Sequence, residues 1–218
     1  MTKNYYEKYW QEKNDSLGHA NHTPRWPKQE LEMFYASVKN FIGRDILDIG
    51  AGEGIFIEYL KKRNSNVENI SALEISSKAA EMGGKRNPSV AYFVGSADET
   101  YPFADKKFDT LFMTDVIEHL VDIDQAISEC DRILKEGGKL IIITPVFNWL
   151  KKIIIASFFW EKFFYPNNPH IRFFTKKSMD LIMREHGFER VYYRWGLSWF
   201  GIMPQNAYFV YKKINYEK

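Results

Sequence analysis

One stretch constrains this chain more than any other: Asp45–Tyr59, DILDIGAGEGIFIEY. A short apolar run, Ile46-Leu47-Asp48-Ile49, gives way to three alternate glycines, Gly50, Gly52 and Gly54. An apolar-periodic stretch from Ile55 to Leu60 follows. The pattern predicts a strand, a glycine turn and a helix, the first unit of a doubly wound α/β sheet. Glycine takes positive φ readily and lets the backbone approach a ligand with no Cβ in between. The spacing is G-x-G-x-G, not the G-x-G-x-x-G of dinucleotide-binding turns. A carboxylate, Asp48, stands just ahead of the first glycine. That charge repels a pyrophosphate but accepts a cationic group or ribose hydroxyls.

The rest of the chain repeats the alternation. Ile70–Ile75, Val90–Val94, Phe108–Met113, Lys139–Ile143, Phe188–Trp195 and Ala207–Ile214 read as further strands. Ser76 or Ser77 is placed to cap a helix running to Gly83-Gly84. Asp122–Leu134 reads as a helix stopped by Gly137-Gly138, and Thr175 caps one through Glu185. Leu31, Phe34, Tyr35 and Val38 share one face of a helix over Lys28–Phe41. Lys61-Lys62-Arg63 read as a solvated helix end that complements the dipole. The expected architecture is a doubly wound, Rossmann-like, seven-stranded and mostly parallel sheet. Its last strand is antiparallel, and helices cover both faces. Residues 1–44 would form an N-terminal helical cap, 45–218 the main domain, and 146–174 an aromatic lid.

Composition narrows the function classes. The 218 residues suit one α/β domain with modest additions. A net charge of +2 is too mild for nucleic-acid binding. The one cysteine, Cys130, excludes an internal disulfide framework and a cysteine-based metal cluster; in its helical pattern it reads as core. The beginning, MTKNYYEKYWQEKND, shows no apolar signal region, so a cytoplasmic enzyme is expected.

In open α/β sheets a ligand lies beyond the carboxyl ends of the strands. Those ends carry Gly50 and Gly52, Glu74, Asp98, and Thr114 with Asp115. Glu74 is placed to accept both hydroxyls of a ribose, Asp98 an adenine amine, and Asp48 an amino group. The inferred ligand is an adenosine with a cationic tail and no phosphates.

ILDIGAGEG, the Glu of ALEIS, GSADETYPFADKKFDTLFMTDVIEHL and ILKEGGKLIIITP together resemble the class I S-adenosylmethionine-dependent methyltransferases. Within these they are similar to the small-molecule branch that includes ubiquinone-type O-methyltransferases. The resemblance covers residues 45–145, and 169–189 and the opening YYEKYW extend it. It implies that S-adenosylmethionine is the cofactor, with S-adenosylhomocysteine as product. Gly50, Ala51 and Gly52 would pass beneath its methionyl part. Glu74 would hold the ribose, Ile75 would pack on adenine, and Ala97 and Asp98 would meet the adenine edge. Thr114 and Asp115 would line the sulfonium side, with His119 over the same pocket. Arg25 would pair with the cofactor carboxylate.

The resemblance implies methyl transfer to a small-molecule acceptor, most simply at a hydroxyl oxygen, with N- or C-transfer to a metabolite or sugar as alternatives. A base assists an oxygen acceptor, and histidine titrates nearest neutrality. His119, in VIEHL, and His170, in PNNPHIRFF, are the catalytic candidates beside Asp115; His19 and His22 lie in the N-terminal loop. No trio of His and carboxylates shows metal-ligand spacing, so no metal is predicted. The lid reads either as packed core or as the wall of an apolar pocket. In the second case Trp149, Phe158, Trp160, Phe164 and Phe173 form the wall, and Arg172 pairs with an acidic acceptor group. Residues 147–165 also fit a peripheral contact at the inner face of the membrane, suited to a lipid-linked substrate, with lysines at the headgroups. A nicotinamide oxidoreductase lacks its fingerprint here. A DNA N-methyltransferase lacks D/N-P-P-Y/F, the sequence being TDVI. A non-catalytic cofactor-binding module is the remaining class.

Overall fold

The computed structural model describes residues 3–12, 28–64, 66–166, 168–199 and 202–214. Seven strands form one sheet: β1 (Asp45–Ile49), β2 (Asn69–Glu74), β3 (Ala91–Val94), β4 (Phe108–Thr114), β5 (Leu134–Pro145), β6 (Phe188–Trp195) and β7 (Asn206–Lys213). Their spatial order is β3-β2-β1-β4-β5-β7-β6. All run parallel except β7, which pairs antiparallel with both β5 and β6. The chain winds outward from β1 to β3 and then crosses back to β4. The carboxyl ends of β1 and β4 therefore open a crevice at the switch in strand order.

The helices are α1 (Lys3–Glu12), α2 (Lys28–Val38), α3 (Ile55–Arg63), α4 (Ser77–Arg86), α5 (Ile123–Ile133), α6 (Trp149–Phe158), α7 (Trp160–Phe163) and α8 (Lys176–Glu185). Burial on both faces explains the unbroken apolar run in β5. Leu140 and Ile142 join Leu47, Met113, Ile127 and Met183 on one face. Ile141 and Ile143 join Phe34, Phe56, Phe112 and Tyr208 on the other. Cys130 is buried in the first of these clusters, and Leu31, Phe34 and Val38 of α2 are buried in the second.

At two glycine pairs the structure departs from the sequence reading. Helix α4 continues through Gly83 and Gly84 to Arg86. A Cβ on Gly83 would lie 2.4 Å from the Tyr92 ring, so this glycine permits close helix–strand packing and does not end the helix. Strand β5 begins at Leu134, directly after α5, and takes Gly137 in at φ 72°. The pairing of β4 with β5 shifts register there, so Gly137-Gly138 form an irregularity within the strand. At α8, Thr175 and Ser178 form a reciprocal capping box.

Candidate active site

The glycine turn is shaped by what surrounds it. Gly50 has φ 72°, and a Cβ there would lie 2.4 Å from Val116 Cγ2. Gly50 and Ala51 donate their N–H groups to Leu73 O at 2.7 and 3.3 Å, which closes the turn over the end of β2. Gly52 N donates to Glu74 Oε2 at 2.8 Å, and Ser76 N to Oε1 at 2.9 Å. The Glu74 carboxylate is thus fixed before any ligand arrives. Burial raises its pKa.

A cleft of about 890 Å³ opens above this turn. Asp48, Gly50, Ala51, Gly52, Glu74, Ile75, Ala97, Asp98, Thr114, Asp115, His119 and His170 all line it. Asp48 is buried, and neither carboxylate oxygen has a hydrogen-bond partner among the described residues. Burial, reinforced by the Glu74 charge, pushes its pKa up to about 8. An orphaned buried carboxylate facing a cleft calls for a cationic partner, which fits the ammonium end of an amino-acid cofactor. Asp98 is partly engaged, accepting from Asp122 N at Oδ1 (2.8 Å).

At the end of β4 the backbone is strained: Asp115 sits at φ 53°, an uncommon place for a residue with a Cβ. Its side chain is exposed to the cleft. The enclosing walls of the cleft, helped by the charge of Glu30, raise its pKa above the usual carboxylate range. Behind it Glu118 is fully enclosed and accepts from Thr144 Oγ1 at 3.0 Å. Burial and the Asp115 charge drive its pKa well above the usual carboxylate range. His119 Nδ1 donates to Pro169 O at 2.9 Å, and burial lowers its pKa. Its ring stands 4.7 Å from that of His170.

Glu118, His119 and His170 each bring one ligand atom within 4.8 Å of the others. Spacing along the sequence hides this trio, because His170 arrives only when 169–174 folds back. Ile171 N and Arg172 N donate to Glu118 O at 3.0 and 3.1 Å. Arg172 also donates to Leu120 O and Val121 O at 2.8 and 2.6 Å. Arg172 therefore clasps this segment in place and does not present its guanidinium to an acceptor.

The aromatic segment 146–174 divides in two. Lys162, Phe163, Tyr165, Asn168 and Pro169 line the cleft. Trp149, Phe158, Trp160 and Phe173, read as pocket wall, are exposed and lie outside the lining; Phe164 lies outside the lining as well. Arg25, His19 and His22 fall outside the described residues. The sequence reading missed α1 as a wall: Tyr5, Tyr6, Tyr9 and Trp10 line the cleft. Glu7 of the same helix accepts from Ser77 N at 2.7 Å and from Ser76 Oγ at 3.0 Å, which fastens α1 to the start of α4. The clustered aromatics of YYEKYW were the available signal. Glu30 and Asn206 were also missed, and they are polar residues with no motif around them.

Residues 47–142 match the methyltransferase domain family. The chain is 27% identical to the demethylmenaquinone methyltransferase of Thermotoga maritima over 182 residues, 76% of this chain and 77% of that one. It is 30% identical to the human mitochondrial ubiquinone biosynthesis O-methyltransferase over 110 residues, 49% of this chain but only 30% of that longer protein. Among solved structures, a Thermotoga maritima SAM-dependent methyltransferase, described as a possible histamine N-methyltransferase, superposes with a TM-score of 0.65 at 25% identity. That match covers 96% of this chain and 95% of the other.

Proposed function

The chain belongs to the class I S-adenosylmethionine-dependent methyltransferases, and from that premise we propose that it methylates a hydroxyl oxygen on an apolar, aromatic or lipid-linked small molecule, with His119 as the base. The observation that carries the reading is the bonding of His119. Its Nδ1–H is spent on Pro169 O, which leaves Nε2 as the proton acceptor, and burial keeps the ring neutral near pH 7. The cofactor supplies an electrophilic sulfonium methyl when bound. Asp48 would take its ammonium group, Glu74 the ribose hydroxyls, and Ala97 with Asp98 the adenine edge, while Ile75 packs on the base. Gly50, Ala51 and Gly52 leave room beneath the methionyl part. Thr114 and Asp115 would border the sulfonium. Asp115, its pKa raised above the usual carboxylate range, and His170, beside His119, are placed to take the proton onward. Tyr6, Phe163 and Tyr165 offer the apolar walls that exclude water around the acceptor. The quinone-pathway relatives support an apolar acceptor, and a lipid-linked one would bring the enzyme to a membrane surface.

The test is a panel of hydroxylated acceptors with methyl-labelled cofactor, the product linkage being read by mass spectrometry and NMR. O-methyl products are expected, and His119→Asn is expected to lower kcat by roughly 10²–10⁴-fold. Because burial lowers the His119 pKa below its ordinary 6.5, kcat should fall only under that pH, and the variant should lose this limb. Products methylated only on nitrogen or carbon, or full activity in His119→Asn, would contradict the proposal. A second reading rests on the convergence of Glu118, His119 and His170. A divalent cation held there would polarise the acceptor oxygen in place of a base. Loss of activity on chelation, restored by added cation, would favour it.

A further inference from the structure

We propose that α6 and α7 form an in-plane anchor that rests on an anionic lipid bilayer and feeds a lipid-embedded acceptor to the cleft, a proposal that builds on the apolar acceptor inferred above. Helix α6 is apolar around most of its circumference. Leu150, Ile154 and Ile155 turn inward, with Ile155 buried. The outer side carries Trp149 at 72% exposure and Ile153 at 55%, and the chain then presents Phe158 at 78%, Phe159 at 45% and Trp160 at 55%. A helix apolar on all sides belongs where apolar matter covers it all round. Among the described residues nothing covers the outer side of α6. Trp160 packs against Phe164 with ring centroids 4.4 Å apart, and Phe164 meets Phe173 at 4.8 Å, which extends the apolar surface beyond α7. Contiguous exposed apolar surface of this kind marks a contact site.

Charge selects the occupant. The ionised side chains from Trp149 to Phe164 are Lys151, Lys152 and Lys162 against Glu161. Lys151 turns inward to Val146 O and Pro204 O, both at 3.0 Å. Lys152 and Lys162 stay exposed along the patch, as headgroup contacts require. Trp149 opens α6 and Trp160 opens α7, and tryptophan is a residue of the membrane–water interface. The ten residues of α6 span about 15 Å, against a hydrocarbon core of about 30 Å. No helix of the described residues is long and apolar enough to cross a membrane, so the segment lies in the interface plane. Lys162, Phe163 and Tyr165 of the same stretch line the cleft. One side of the anchor therefore faces lipid while the other opens onto the site of transfer.

Co-sedimentation tests this without any acceptor, using vesicles of phosphatidylcholine alone or mixed with phosphatidylglycerol. Wild-type protein is expected to pellet with the mixed vesicles at low salt and to be released as salt rises. Trp149→Ser combined with Phe158→Ser should lower partitioning roughly tenfold or more. Lys152→Glu should erase much of the preference for anionic vesicles, by about fivefold or more, while keeping weak binding to neutral ones. Calorimetric cofactor affinity and the melting temperature report that each variant is folded. Failure of the wild type to bind mixed vesicles at low salt overturns the proposal. So does a dimer, seen by light scattering, that Trp149→Ser with Phe158→Ser abolishes, since a second copy would then cover the patch. Absence of vesicle binding leaves the methyl-transfer reading intact, and absence of transfer with intact vesicle binding does the reverse.

Discussion

Asp48 shows how one buried group can report on a ligand. With its pKa pushed up to about 8, first by burial and then by the Glu74 charge, the free protein holds a proton there at pH 7. A cationic ligand favours the ionised form, so binding at pH 7 must expel up to about one proton. The effect fades above pH 8, where the carboxylate is already ionised. Calorimetry in buffers of different ionisation enthalpy should detect this release in the wild type and lose it in Asp48→Asn. Equal release by both would contradict the pairing. Asp48 was legible in the sequence because a carboxylate beside a glycine turn is conspicuous. Glu118 was not: it sits in a helix-like VIEHL, and its meaning depends on Pro169–Arg172 folding back onto it. Trp149 and Trp160 carry the converse lesson. An aromatic composition says that a segment seeks apolar cover, but not from which side.

At the scale of elements, α1 is a wall held by a latch. Hydrogen bonds to Glu7, from the Ser77 hydroxyl foremost, lower its pKa to about 2. A depressed carboxylate contributes stability above its unfolded pKa and loses it as pH falls through the folded value, so the latch is closed at neutral pH. Glu7→Gln should therefore speed cofactor release several-fold in stopped-flow, because Tyr6, Tyr9 and Trp10 move with the helix. An unchanged release rate would mean that α1 does not gate the cleft. The strands themselves were readable from apolar runs bounded by turn residues. The glycines misled in two places, at Gly83 and Gly137. A helix interior that must approach a tyrosine ring, and a strand that must shift register, use the same residue as a chain terminator.

The whole molecule divides its tasks between the ends and faces of one sheet. Both faces are sealed by apolar clusters, so the polar chemistry is confined to the carboxyl ends of β1, β2 and β4. The antiparallel β7, between β5 and β6, brings Asn206 to the same rim. The winding order was foreseeable from alternating strands and helices, since a parallel sheet must cross over through a helix. The position of the lid was not, because no periodicity fixes how a loop of aromatics returns. We propose that the carboxylates at this rim hold the cofactor, with Glu74 on its ribose. The most direct measurement is a calorimetric titration of S-adenosylhomocysteine into the wild type and Glu74→Ala, with melting curves to show that the variant is folded. Two charge-assisted hydrogen bonds to the ribose, about 1.5–3 kcal/mol each, imply a loss of roughly 10²–10⁴-fold in affinity. Unchanged affinity in Glu74→Ala would contradict the site.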